Sequence, residues 1–149
     1  MGSHFDGTKD EVRALSAFIN LLRAANSLHA QQSRWLADTG LTVSQFGVLE
    51  ALYHLGPLRQ KQLSEKLLKT GGNMTMVVDN LEKHGQVERR RSATDRRMVT
   101  VHLTRKGRRL IDRIMPDHVD GIREELARLS AREQEQLRVL CRKLGKKED

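Results

Sequence analysis

The chain has 149 residues, with 27 Lys and Arg against 19 Asp and Glu for a formal net charge of +8. That length suits one core rather than a two-domain enzyme, and 38% hydrophobic residues with 11 glycines is globular composition rather than disorder. The five aromatics (Phe5, Phe18, Trp35, Phe46, Tyr53) are too few for base stacking to be the main tool. The lone Cys141 excludes an internal disulfide or a thiolate metal cluster and points to a cytoplasmic setting.

From residue 10 to 37, Val12, Leu15, Phe18, Ile19, Leu22, Ala25, Leu28, Trp35 and Leu36 recur every three or four residues without proline. This spacing predicts a long amphipathic helix that stops near Gly40. Thr42 and Gln45 form a capping box before a second helix whose inner face is Phe46, Leu49, Leu52 and Tyr53, and Gly56-Pro57 ends it. A short third helix carries Leu63, Leu67 and Leu68. After Thr70-Gly71-Gly72 a fourth begins, with Met74, Val77, Val78 and Leu81 inward and Gly85 as its stop.

The period then changes from helical to alternating. Val87 opens a strand, Ser92 to Met98 form a polar cationic tip, and a second strand turns Val99, Val101 and Leu103 inward with Thr100 and His102 outward. Thr104 caps a long helix carrying Leu110, Ile111, Ile114, Met115, Val119, Ile122 and Leu126. Pro116 and Gly121 inside it predict a kink or irregularity. Ser130 and Glu133 cap a last helix with Leu137, Leu140, Cys141 and Leu144 on its apolar stripe, where Cys141 is expected as buried filler. No run approaches a membrane span of roughly 18 apolar residues, and the first residues lack the apolar stretch of a secretory signal.

The excess charge is local. Residues 82–113 hold eleven Lys and Arg against four acids, so nearly all of the +8 lies in one segment. Such a concentration is the footprint of a polyanion partner, although a solvated charged face has the same composition.

Three short helices followed by a hairpin form a winged helix-turn-helix, with 71–85 as recognition helix and 92–98 as wing tip. The fold class is thus mainly α with a small β-hairpin wing, flanked by dimerisation helices. The expected organisation is an N-terminal dimerisation helix at 10–38, the DNA-binding region at 41–104 and C-terminal dimerisation helices at 105–145, in one compact domain. The flanking stripes are too long and apolar for so small a middle to cover, and a second copy of the chain would cover them most economically.

At this point the chain resembles the MarR family of bacterial winged-helix regulators. The match covers about residues 10–145. It rests on Leu63-Ser64-Glu65-Lys66-Leu67, the run from Gly72 to Gly85, the wing Asp95-Arg96-Arg97, and Leu103-Thr104-Arg105-Lys106-Gly107. The resemblance implies an obligate homodimer on a pseudo-palindromic operator, usually a repressor.

In this motif the helix N-terminus meets the base edges. Gly72, Asn73, Thr75 and Met76 are the candidate base readers: Asn73 suits adenine, Met76 a thymine methyl, and the glycines permit close approach. Asn73 as a plain helix-start residue is the competing reading. At the wing, Arg97 suits the electronegative minor groove with Asp95 holding its guanidinium, and Arg96 takes a phosphate. Gln60, Lys61, Arg90 and Arg105 are candidate phosphate contacts, whereas Asp79, a carboxylate beside phosphates, calls for a neighbouring cation.

Many members of the family release DNA when a phenolic or other small lipophilic ligand enters a cleft. By position His29, Trp35, Phe46 and Met115 are the candidate lining, with ordinary core as the alternative. Six histidines show no HxxxH spacing, so neither a metal nor a cofactor is expected, and no phosphate loop or nucleophile elbow marks an enzyme. The competing function is a nonspecific nucleic-acid-binding or architectural protein.

Overall fold

A capping box starts the first helix in the computed structural model, which describes residues 4–67 and 71–145. The Thr8 hydroxyl accepts the Glu11 N–H, and the Glu11 carboxylate accepts the Thr8 N–H at 2.8 Å. Helix α1 (Lys9–Leu36) ends in one tight turn, Ala37–Thr39, closed by Gly40 in the left-handed region at φ 76°. Thr42 and Gln45 make the expected box at the head of α2 (Val43–Leu55), whose C-cap Gly56 also has positive φ. The sheet-edge strand β1 (Leu58–Arg59) leads into α3 (Gln60–Leu67), and α4 (Gly71–Lys83) follows. The expected apolar Leu68 and the Thr70 before α4 lie outside the described residues.

Strands β2 (Val87–Arg91) and β3 (Val99–Leu103) form the hairpin, with Arg89 opposite Val101 and Glu88 opposite His102. A third strand joins them: β1 pairs antiparallel with β3, Leu58 opposite Val101, giving the order β1-β3-β2. Sequence periodicity does not reveal β1, because two residues cannot display an alternation. Val101 is buried. Val99, Thr100, His102 and Leu103 are all half-buried, so the strand is less sharply two-sided than its alternation predicts.

Thr104 fastens the sheet to the next helix. Its N–H donates to the Gln86 carbonyl at 3.2 Å, its hydroxyl donates to the Gly85 carbonyl at 2.6 Å, and the same oxygen accepts the Gly107 N–H at 3.1 Å. Gly107 makes this approach possible, since a Cβ there would stand 2.0 Å from the Gln86 oxygen.

Helix α5 (Arg105–Leu126) runs unbroken through Pro116, which lacks the N–H that would bond the Asp112 carbonyl. The expected irregularity therefore does not interrupt the helix. The chain divides there into two compact units, residues 1–115 and 116–149.

In the first unit the core consists of Leu36, Leu41, Phe46, Val48, Leu49, Leu52, Leu58, Leu63, Met74, Val78, Leu81, Val87, Val101, Ile111 and Ile114. Each short helix contributes its apolar face to this cluster, the packing that stabilises helices too short to persist alone.

In the second unit the Ser130–Glu133 box opens α6 (Ala131–Gly145), and Gln134 Nε2 donates to the carbonyls of Leu126 and Leu129. None of the residues of α6 is buried. Leu140 and Leu144 are 63% and 71% exposed, and Cys141 is exposed as well. The reading of Cys141 as buried filler is corrected accordingly: its side chain is exposed, as are Leu140 and Leu144 on the same stripe.

Candidate nucleic-acid interface

Helix α4 buries Met74, Val78 and Leu81, half-buries Val77, and thereby turns Asn73, Thr75, Met76, Asp79 and Asn80 outward. Met76 is 71% exposed, a large apolar side chain without cover on an otherwise polar face. Gly72 and Asn73 stand in the first turn of the helix, where the positive end of the dipole favours phosphate.

Polar contacts hold this helix to its neighbours. From β2, the Arg89 guanidinium reaches Asp79 at 2.6 Å and Glu82 at 3.0 Å, while its backbone N–H donates to the same Glu82 carboxylate at 2.9 Å. Arg89 also donates to Gln60 Oε1 at 3.3 Å, and Gln60 Nε2 donates to Thr75 Oγ1 at 2.6 Å. Three elements, α3, α4 and β2, thus share one hydrogen-bonded chain. It supplies the cation that Asp79 requires, and it engages both polar ends of the Gln60 side chain, which sequence alone suggested for phosphate.

Composition and motif spacing do not mark the hub residue Arg89 as a functional position. Its signal lay in strand parity: Arg89 points opposite to Arg90, towards a helix carrying Asp79 and Glu82 one turn apart. On the other sheet face Arg90 pairs with Glu88 through Nε at 2.7 Å. The same face carries His102, whose Nε2 lies 2.8 Å from the Thr100 hydroxyl. Burial, and secondarily the Arg90 charge, hold the His102 pKa below the usual imidazole value. Lys61, at the start of α3, and Arg105, at the start of α5, are both exposed.

The wing tip is shaped by its short polar side chains. Ser92 Oγ accepts the N–H groups of Thr94 and Asp95 at 3.3 Å, Met98 N–H donates to the Asp95 carbonyl, and the Asp95 carboxylate accepts the Arg97 backbone N–H at 3.0 Å. Asp95 therefore orders the backbone of the turn, whereas the expected grip was on the Arg97 guanidinium. Among the described residues neither Arg96 nor Arg97 enters an ion pair, and both are exposed.

The four candidate lining residues differ in burial, and the clefts lined by Asp120, Arg123 and Gln134 and by Lys106, Arg109 and Arg113 include none of them. Phe46 is sealed in the core, Met115 packs against that core, Trp35 is half-buried and His29 is exposed on α1. Nor do three or more His, Cys, Asp or Glu cluster as a metal site among the described residues. No helix there is long and apolar enough to cross a membrane.

A family model described as the MarR family matches residues 39–98, from the turn before α2 to the wing tip. The HTH-type transcriptional regulator YkoM of Bacillus subtilis, itself uncharacterized, is 38% identical over 133 residues, covering 89% of this chain and 86% of its own. The chain belongs to the MarR family. A MarR family regulator from Streptomyces coelicolor, solved in complex with DNA, has a TM-score of 0.83 at 26% identity and covers 95% of this chain and 90% of its own. The BpsR protein of Bordetella bronchiseptica, solved to explain regulation of its DNA binding by 6-hydroxynicotinic acid, has a TM-score of 0.80 at 25% identity, covering 87% and 98%. The MarR relatives are named as transcriptional regulators, so the chain is a DNA-binding regulator by family and not an enzyme.

Proposed function

We propose that this MarR protein is a sequence-specific repressor that binds a pseudo-palindromic operator as a homodimer and is released by a small aromatic ligand. The observation that carries the reading is the outward face of α4, with Asn73, Thr75 and Met76 beside its N-terminus, in a chain whose wing offers unpaired Arg96 and Arg97. An amide, a hydroxyl and a thioether are side chains that read base edges, and a surface meant only for phosphate would be cationic there. Gly72 lets the helix start close to the groove. Asp95 presents Arg97 towards the minor groove, and Arg96, Lys61, Arg105 and Arg90 serve the backbone, with Gln60 acting through Thr75.

Uncovered apolar side chains support the dimer. Phe18 and Leu22 on α1 are 57% and 46% exposed, Val119 and Ile122 on α5 are more than a third exposed, and the α6 stripe is open. Such surface on a chain of this size calls for a second copy. Ligand release is supported by the printed regulation of the BpsR relative by an aromatic acid. His29, Trp35, Phe46 and Met115 remain the candidate lining. A regulator of this kind works in the cytoplasm.

The test is a titration of the purified protein with DNA flanking its own gene against scrambled DNA of equal length, with sedimentation of the complex. A specificity ratio of about 10³ or more with two chains per site is expected. A ratio near one with a steep salt slope supports the nonspecific binder instead.

A further inference from the structure

Within the first unit a cavity of about 350 Å³ opens between the turn after α1, the exit of α4 and the first half of α5. Lys106, Arg109 and Arg113 line it from one face of α5, joined by Thr39, Gln86 and Leu110. The volume is at the small end of ligand sites. Among the described residues, no carboxylate lies within ion-pair distance of these three cations, although Arg13, Arg89, Arg90, Arg123, Arg128 and Arg138 all have acidic partners. Lys106 Nζ is held by one bond, to the His84 carbonyl at 2.7 Å, which leaves it two further N–H donors.

Like charges three and four residues apart on a helix repel, and the first turn of α5 holds no acid to offset them at the positive end of the dipole. We propose that this cavity is a binding site for a compact, multiply charged oxyanion, a phosphorylated or polycarboxylate metabolite. Two guanidinium forks one turn apart, on Arg109 and Arg113, suit its oxygens, with the Lys106 ammonium as a third charge and Thr39 and Gln86 as neutral hydrogen-bonding partners. Among the described residues lining it, Leu110 is the only apolar one and none is aromatic, so charge rather than stacking selects the ligand.

The site is distinct from the DNA-reading end. It adjoins Gln86, beyond the C-terminus of α4 at Lys83, which is itself about 15 Å of helix rise from Asn73. An anion there bridges the end of α1, the exit of the recognition helix and α5.

The experiment uses the full chain, with sodium pyrophosphate and sodium citrate as probes, and sodium chloride at matched ionic strength and salicylate as controls. At about ten times Kd, one of the two probes is expected to raise the melting temperature by about 3 °C or more beyond both controls. The R109Q/R113Q variant is expected to lose about ten-fold in probe affinity while holding DNA affinity, without probe, within about two-fold of the parent. Amide shift changes on probe addition should cluster at Gln86 and residues 106–113, a readout that needs no variant. The proposal is overturned if neither probe exceeds the controls, or if the variant keeps the full effect. It is also overturned if the variant loses DNA affinity with a flatter salt dependence, because the cations then serve DNA phosphates.

Discussion

The Arg89 guanidinium stands 2.6 Å from the Asp79 carboxylate, a strand-to-helix ion pair that locks the recognition helix against the wing. Its side chain is 25% exposed and Glu82 shares the same guanidinium, so solvent weakens this network less than it does an isolated surface pair. Arg89→Ala would leave two carboxylates one turn apart without their cation. Because Asp79 and Glu82 are themselves 60% and 41% exposed, a loss of about 1 kcal/mol in unfolding free energy is expected, with weaker operator binding, and Arg89→Lys should fall between, having lost the fork. Urea denaturation and DNA titration of both variants check this. Unchanged DNA binding in a folded Arg89→Ala protein would show that the network supports stability alone.

Gly107→Ala should be among the most damaging small changes in the chain. Its Cβ would meet the Gln86 carbonyl oxygen at 2.0 Å, a backbone atom that cannot swing aside. Relieving the overlap requires the Thr104 junction to open, at about 3 kcal/mol or more. Thermal unfolding measures it, and a loss below about 0.5 kcal/mol, the range of ordinary surface changes, would contradict the tight approach.

At the wing, Arg97→Ala is expected to weaken specific binding by about 1–3 kcal/mol, the scale of a good groove contact. Asp95→Ala should match it in direction by a different route, loosening the turn that presents Arg97. Gel-shift titrations of both at fixed salt decide the matter. An Arg97→Ala protein with parental affinity would remove the wing from the reading mechanism.

His102 gives a pH dependence with a definite sign. Its pKa in the fold lies below the usual imidazole value, so the unfolded chain takes up the proton first as pH falls. The stabilising contribution is present above the unfolded value of about 6.5 and is lost as pH drops below it. An NMR titration of the His102 ring should show a midpoint below 6.5, and His102→Gln should flatten part of the stability loss on acidification. A midpoint above the usual value would reverse the sign.

Much of this architecture is legible in the chain because local chemistry and packing agree. The boxes at Thr42 and Ser130, the stop at Gly85 and the inward set Met74, Val78 and Leu81 follow from spacing alone. What escapes is non-local. β1 is a strand only because Val101 lies opposite Leu58. Arg89 is a hub only because the turn at Gly85 brings β2 back beside α4. The cavity at Arg109 needs residues some 70 positions apart, Thr39 in the turn after α1 and Arg113 in α5, at one place. Asp95 also shows that a residue type is easier to read than its bond: the aspartate belongs to the wing, but it grips a backbone N–H.

The central claim, that α4 reads sequence as one half of a symmetric pair, is tested most directly by selecting bound duplexes from random DNA with the purified protein. The predicted result is an inverted repeat with half-site centres roughly 34–36 Å apart, one position of which loses its preference in Asn73→Ala. Enrichment of no motif, or a motif unchanged in that variant, would contradict it.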